Sequence, residues 1–149
     1  MCIRDRDWEV PLPGGIRPAI DRHRSALAAV TRPALLHFDL WDGNVFIDLD
    51  RTAVTGLIDA ERALWADPAA DLVSLSLTGP LDDDLLAGYA DAGGPVVLDA
   101  ATRQRLHLYR AHLALVMVVE TVPRGVPDGA RTRAWAGGML TAALDALDG

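Results

Sequence analysis

The sequence predicts an α+β fold that is mostly α-helical, with one short β-hairpin ahead of a run of helices. Of the 149 residues, 50% are hydrophobic and 23% are charged, which is typical of one soluble globular domain. Two apolar runs, at 44–49 and 54–58, flank the polar segment DRTA, and this pattern predicts a hairpin. From residue 68 onward the periodicity is helical, and short strands followed by helices indicate α+β organisation rather than a doubly wound parallel sheet.

The helices are predicted from apolar periodicity and from the breaks between them. A first helix over 17–30 has Pro18 in its first turn and a partial apolar stripe, and Pro33 follows its end. Glycine and proline clusters separate the later segments, because these residues interrupt helices. The remaining predicted helices are 68–77, 82–92, 100 to about 122, and 129–147.

The predicted hairpin brings together two polar residues at its open end. We place its centre between Arg51 and Thr52, which sets Asn44 directly opposite Asp59. Directly opposed residues share a face of the sheet, with β-carbons about 4.5 to 5.5 Å apart. An amide oxygen and a carboxylate at that separation are suitable ligands for one magnesium site. The apolar run ends on the Asp59 carboxylate, and a cation would offset the cost of burying that charge.

The charge balance narrows the classes of partner. All 14 basic residues are arginine, against 21 acidic residues, so the net charge is -7. A surface this acidic repels nucleic acid and anionic lipid and favours a small cationic ligand. The absence of lysine excludes any mechanism that needs a Schiff base or a phosphate-binding lysine from this chain.

Cysteine usage and hydropathy bear on where the protein resides. Cys2 is the only cysteine and cannot form an internal disulfide, so we expect a cytoplasmic protein. The longest uninterrupted apolar run, 113–119, is far shorter than the about 20 residues that span a bilayer. We therefore expect no membrane helix, and the first six residues do not have the pattern of a signal peptide.

The most informative segment contains the pattern His-x-Asp-x-x-x-x-Asn. It places His37, Asp39 and Asn44 at the spacing found in kinase catalytic loops, and Asn44 is the only asparagine in the sequence. Phosphoryl transfer uses these residue types in this order. An aspartate accepts the proton of the attacking hydroxyl, and an asparagine oxygen binds magnesium at the phosphates.

Three motifs in this order resemble the aminoglycoside phosphotransferase family, a group of protein-kinase-like small-molecule kinases. They are LHFDLWDGN at 36–44, GLID at 56–59 and ADPAADL at 66–72. The resemblance implies that Asp39 is the catalytic base and that Asn44 and Asp59 hold magnesium. It also implies that His37 organises the loop, and that Asp71 lies in a helix beneath the loop and binds its backbone amides.

The resemblance further implies a bilobal kinase of which this chain is the C-terminal lobe. Transfer would run from ATP, or another nucleoside triphosphate, with Mg²⁺ to a hydroxyl of a small molecule. The glycine-rich cover and the nucleotide lysine of the N-terminal lobe are absent here, so the nucleotide-binding residues are not assigned. We expect an irregular segment over 1–16, with 1–6 foreign to the native protein, and the lobe over 17–149. Such a fragment is expected to be inactive or weakly active alone.

Other interpretations stay open at this point. Asp39 and Asn44 could be turn residues, and Asp59 could cap a short turn through Glu61. Asp67 directly before Pro68 is explained as a helix cap, without any role in chemistry. The chain could be a non-catalytic ligand-binding lobe that needs a partner. A metal-dependent hydrolase is less favoured, because no histidines here have ligand spacing.

Overall fold

The structure, a computed structural model, describes residue 10, residues 14–77 and residues 79–148. Helices dominate, and four short strands precede the longer helices, so the predicted mostly helical α+β class is confirmed. Cys2, the segment 1–6 and most of the predicted irregular segment lie outside the described residues. The elements are α1 Ile16–Arg22, α2 Arg24–Ala28, β1 Ala34–Leu36, β2 Val45–Asp48, β3 Ala53–Leu57, β4 Leu64–Ala66, α3 Ala69–Leu75, α4 Asp83–Asp91, α5 Ala100–Glu120 and α6 Gly129–Asp148.

The chain divides into two compact units, 26–106 and the described parts of 1–25 with 107–149. The first unit contains both sheets, and its core joins Leu36 and Phe38 to the buried face of α3. The core of the second unit consists of small and branched residues of α5 and α6, and small side chains allow two helices to pack closely. These core residues are Ala111, Ala114, Leu140 and Ala143.

The predicted first helix is broken in two. The structure ends α1 at Arg22 and begins α2 at Arg24, because His23 has φ -103° and ψ 18°, outside the helical range. The buried residue of each short helix is an alanine, Ala19 or Ala26, whereas Ile20 is 43% exposed. The stripe that predicted one continuous helix is therefore only partly buried.

The four later helices are confirmed, with ends within two residues of those predicted. The Asp82 carboxylate accepts a 2.7 Å hydrogen bond from Leu85 N and caps α4, and Asp99 accepts one of 2.7 Å from Thr102 N at the start of α5. The bonds from Thr102 lower the pKa of Asp99. Although α5 and α6 are the longest, no described helix is both long and apolar enough to cross a membrane.

The hairpin exists, but its predicted register is wrong, by two residues near the turn and by one at the open end. Asp48 pairs with Ala53 rather than with Thr55, so the turn is centred one position earlier than predicted. The Asp48 carboxylate accepts hydrogen bonds from the backbone of Asp50 and Arg51, and this Asx-type turn starts the reversal at Asp48. A bulge at Thr55 then shifts the pairing of the open end.

A second two-stranded sheet was not predicted from the sequence. β1 pairs antiparallel with β4, with Leu36 opposite Leu64. Strands of three residues are too short for a period-two pattern to be recognised. This pairing brings the segment that leaves β1, at residue 37, next to the segment that enters β4.

Candidate active site

The loop between β1 and β2 brings two of the predicted site residues into contact. Asn44 donates from Nδ2 to the Asp39 backbone oxygen at 2.8 Å and lies 3.4 Å from Asp39 Oδ2. Both residues are buried, at 9% exposure for Asp39 and 5% for Asn44. Both side chains are thus enclosed, and Asn44 also makes the contact to the loop backbone that is expected of a turn residue.

Asp71 lies in α3 beneath this loop and accepts hydrogen bonds from two of its amides, the arrangement that the family resemblance implies. The bond from Phe38 N to Oδ1 is 2.6 Å, and that from His37 N to Oδ2 is 3.2 Å. Phe38 has φ 58°, a left-handed conformation that is strained for a bulky side chain. Such strain costs on the order of 1–3 kcal/mol and requires surrounding structure to maintain it. The carboxylate of Asp71 supplies that support immediately before Asp39.

His37 connects the loop to the end of β3. Its Nε2 lies 2.9 Å from the Ile58 backbone oxygen, so the ring donates there in the tautomer that carries a proton on Nε2. Ile58 N in turn donates to the Asn44 backbone oxygen at 3.1 Å. The imidazole therefore joins the loop to the strand end next to Asp59.

Asp59 does not lie opposite Asn44, contrary to the predicted register. Ile58 has that position, and Asp59 follows it with φ 62° and ψ 49°, in the left-handed region. In an extended strand, Ile58 and Asp59 would point to opposite faces of the hairpin. The left-handed conformation of Asp59 ends the extended backbone, so this alternation does not apply to it. Asp59 occupies the N-cap position of the short 3₁₀ helix Ala60–Arg62, as the cap interpretation expects, but its carboxylate makes no capping bond there.

The oxygen atoms at this end of the hairpin fit a hard divalent cation. The amide nitrogen of Asn44 is occupied by Asp39, which leaves Oδ1 of the buried Asn44 side chain as an acceptor. Magnesium is bound in proteins through one or two carboxylates or amide oxygens together with water and substrate phosphates, rather than by all-protein cages. Within the described residues no cluster of three acidic, histidine or cysteine side chains forms such a cage.

Arg62 is a site residue that the sequence reasoning missed. Its Nη1 donates to Asp39 Oδ1 at 3.1 Å, and both side chains are largely buried. A guanidinium therefore holds one oxygen of the predicted base. Between residues 36 and 72 the only cations are Arg51 and Arg62, and only Arg62 directly follows the Asp59 motif, a signal that could have found it.

Asp67 has the structural role that the sequence predicts. Its Oδ1 accepts from Ala69 N at 3.1 Å at the start of α3, and its Oδ2 forms a 2.7 Å ion pair with Nε of Arg105. Both side chains of the pair are close to fully buried. Arg105 thereby connects the beginning of α5 to the helix that carries Asp71.

The chain is similar to several known proteins. A relative from Lactiplantibacillus plantarum, described as a probable ketoamine kinase, is 35% identical over 86 residues, which are 56% of this chain and 30% of that protein. A choline/ethanolamine kinase family protein from Mesorhizobium loti superposes with a TM-score of 0.61 and 28% identity, over 95% of this chain and 49% of that one. A thermostable mutant of an aminoglycoside phosphotransferase has a TM-score of 0.59 at 19% identity, over 94% and 47% of the two chains.

The chain thus spans about half the length of these solved structures and 30% of the curated relative. The superpositions show a protein-kinase-like fold for the part that is present. The model of the phosphotransferase enzyme family matches residues 2–109, which contain all three motifs and every site residue described above. The chain belongs to the phosphotransferase enzyme family.

Proposed function

We propose that these residues form the catalytic lobe of an ATP- and Mg²⁺-dependent kinase that phosphorylates a hydroxyl of a small molecule. The observation that carries this is the buried contact between Asp39 and Asn44 on a strained loop. Family membership supports small-molecule phosphotransfer in general. The finer assignments below rest on the arrangement of this chain's own residues.

Asp39 is the proposed general base. The attacking hydroxyl transfers its proton to the carboxylate as its oxygen forms a bond to the γ-phosphorus and the bond to the leaving ADP breaks. Arg62 on Oδ1 and Asn44 near Oδ2 fix the plane of the carboxylate. A carboxylate oxygen has more than one lone pair, so Oδ2 can still accept a proton.

Asn44 Oδ1 and the carboxylate of Asp59 are the proposed metal ligands. When bound, Mg²⁺ would neutralise charge on the phosphates of the nucleotide. The chain's own contribution is to hold Asn44 rigidly through Asp39 and to hold the end of β3 through His37. Both contacts keep the ligand positions in place before substrate arrives.

The acceptor is proposed to be a small molecule, with cationic compounds favoured. The names of the similar proteins refer to an aminoglycoside, to choline or ethanolamine, and to a ketoamine. The net charge of -7 favours a cationic acceptor over an anionic one and disfavours nucleic acid. We also propose that the protein works in the cytoplasm, and that the 149 residues need the remaining half of the kinase for full activity.

The direct test uses the protein encoded together with its flanking sequence. Purified protein is incubated with ATP, Mg²⁺ and a panel of amino sugars, amino alcohols and sugars, and phosphorus NMR detects a new phosphate ester. We expect transfer to at least one acceptor, and none when EDTA removes the metal. A folded protein that transfers phosphate to no member of the panel contradicts the proposal and favours a non-catalytic binding lobe.

Replacing Asn44 with alanine is expected to raise the Mg²⁺ concentration needed for half-maximal transfer. One of two protein ligands is then lost, and ligand or supporting-residue changes typically cost about 10–100-fold in metal affinity. The measurement is the rate of transfer over a Mg²⁺ titration at saturating ATP. Asp50→Ala, which removes an exposed acidic residue at the turn of the same hairpin, is the control and should leave the titration unchanged.

A further inference from the structure

A second side chain of α3, Ser74, contacts the loop on the other side of Asp39. Its Oγ accepts a 3.0 Å hydrogen bond from Leu40 N and donates at 3.0 Å to the backbone oxygen of Asp71. The donated bond fixes the hydroxyl proton, which turns the lone pairs toward Leu40 N. Ser74 is 1% exposed, so its hydroxyl lies in the interior, whereas Leu40 and Asp71 are half-buried.

Helical spacing explains why one turn of α3 holds both sides of the loop. Asp71 and Ser74 are three residues apart and lie on the same face of the helix. The carboxylate binds the amides of His37 and Phe38 before Asp39, and the hydroxyl binds the amide of Leu40 after it. The backbone of Asp39 is thus held between two anchors on one rigid element.

The chemistry of serine indicates that the hydroxyl is present for this contact. Serine is a weaker helix former than alanine, and a hydroxyl bonded to the carbonyl one turn earlier slightly destabilises its own helix. Burial without a partner would add a further cost. At a fully enclosed position next to Ala70, Leu72 and Val73, an apolar residue would otherwise pack at least as well.

We propose that Ser74 is a positioning residue for the base, acting through Leu40 N to set the backbone of Asp39. This inference rests on the proposed function of Asp39. Asp71 holds the strained Phe38 before Asp39, and Asn44 Nδ2 holds the oxygen of the peptide that follows Asp39. The bond from Leu40 N to Ser74 holds the nitrogen of that same peptide against α3 and so fixes where the carboxylate meets an acceptor hydroxyl.

The first test measures the contact itself by amide hydrogen exchange of the 149-residue chain, followed by NMR. In Ser74→Ala we expect exchange at Leu40 N to accelerate about three- to tenfold, the loss of one ordinary hydrogen bond, with unchanged exchange in α6. Ser76→Ala is the matched control, since Ser76 is buried two residues later and its hydroxyl donates to the backbone oxygens of Leu72 and Val73 in α3. Ser74→Thr keeps the hydroxyl and should restore slow exchange at Leu40.

Unchanged exchange at Leu40 in Ser74→Ala overturns the inference, as does equal acceleration at every amide, which would report only lower global stability. The second test compares kcat and KM for ATP in the protein with its flanking sequence. We expect kcat to fall about ten- to a hundredfold in Ser74→Ala with KM unchanged, because small misplacement of a reacting group has effects of that order. Ser76→Ala should retain kcat.

The two proposals fail in different ways. If the wild-type protein transfers phosphate and Ser74→Ala has the same kcat, the positioning role is contradicted. The proposed function is then unaffected. Wild-type protein without transfer contradicts the proposed function, whatever the exchange at Leu40 shows. Restored kcat in Ser74→Thr supports the hydroxyl as the group responsible.

Discussion

Replacing Asp39 with asparagine is expected to lower kcat by about a hundred- to ten-thousandfold, the usual contribution of a general base. Asparagine has nearly the same shape and can still accept the hydrogen bond from Arg62, but it cannot take a proton from the acceptor hydroxyl. The fold should therefore survive while the chemical step is lost. Initial rates with the acceptor found by screening, measured at saturating ATP and Mg²⁺, give the change in kcat.

Asp42→Asn is the control for this prediction. Asp42 lies in the same loop, three residues further on, and is exposed. The Asp42→Asn substitution removes one negative charge close to Asp39. A general electrostatic effect would therefore lower kcat equally in both variants. If Asp39→Asn retains more than about a tenth of the wild-type kcat, a general base at this position is contradicted.

The proximity of the motif residues follows from their local spacing in the sequence. His37, Asp39 and Asn44 are within eight positions, and the turn between β1 and β2 is short enough that spacing alone brings Asp39 and Asn44 together. Likewise the later helices begin at strong sequence signals, such as the caps Asp82 and Asp99. These features need no knowledge of distant contacts.

The register of the hairpin was not predictable with the same certainty, because it depends on single side chains. The turn starts where the Asp48 carboxylate binds two amides, which sets the pairing two residues away from the predicted one, and the bulge at Thr55 reverses one of those two. The remaining difference of one residue moves Asp59 out of direct opposition to Asn44. The sequence placed both residues at the correct end of the hairpin, but not at their positions.

Contacts between distant segments have no local pattern in the sequence, and only the binding of the loop amides by Asp71 was expected, through the family resemblance. The pairing of β1 with β4 and the bond from Leu40 to Ser74 join segments about 30 residues apart, and no local pattern marks either one. Arg62 is intermediate, since it follows the Asp59 motif directly but reaches Asp39 only because β4 lies beside β1. The motif residues of the site are thus close together in the sequence, whereas the contacts that hold them in place come from distant segments.

Removing Arg105 is expected to be the most destabilising substitution in the unit of residues 26–106. Its guanidinium pairs with Asp67 at 2.7 Å and also donates to Thr102 Oγ1 and to the Ala26 backbone oxygen. Arg105→Met leaves the Asp67 carboxylate buried without its cation, and breaking a buried pair in this way costs about 3–5 kcal/mol. Urea unfolding followed by circular dichroism measures the change in free energy.

A second substitution tests whether the stability lost in Arg105→Met is due to the charge left on Asp67 or to the lost contacts of Arg105. Asp67→Asn in the Arg105→Met background removes the negative charge that Arg105 neutralises, while keeping an oxygen that can cap α3 at Ala69 N. We expect the double variant to recover most of the lost stability, since a buried ion pair replaced as a whole is often neutral. Arg103→Met, at an exposed position on the same helix, should change stability by less than about 0.5 kcal/mol. A double variant as unstable as Arg105→Met would show that the three hydrogen bonds of the guanidinium, rather than the charge of Asp67, hold α5 to the helix beneath the catalytic loop.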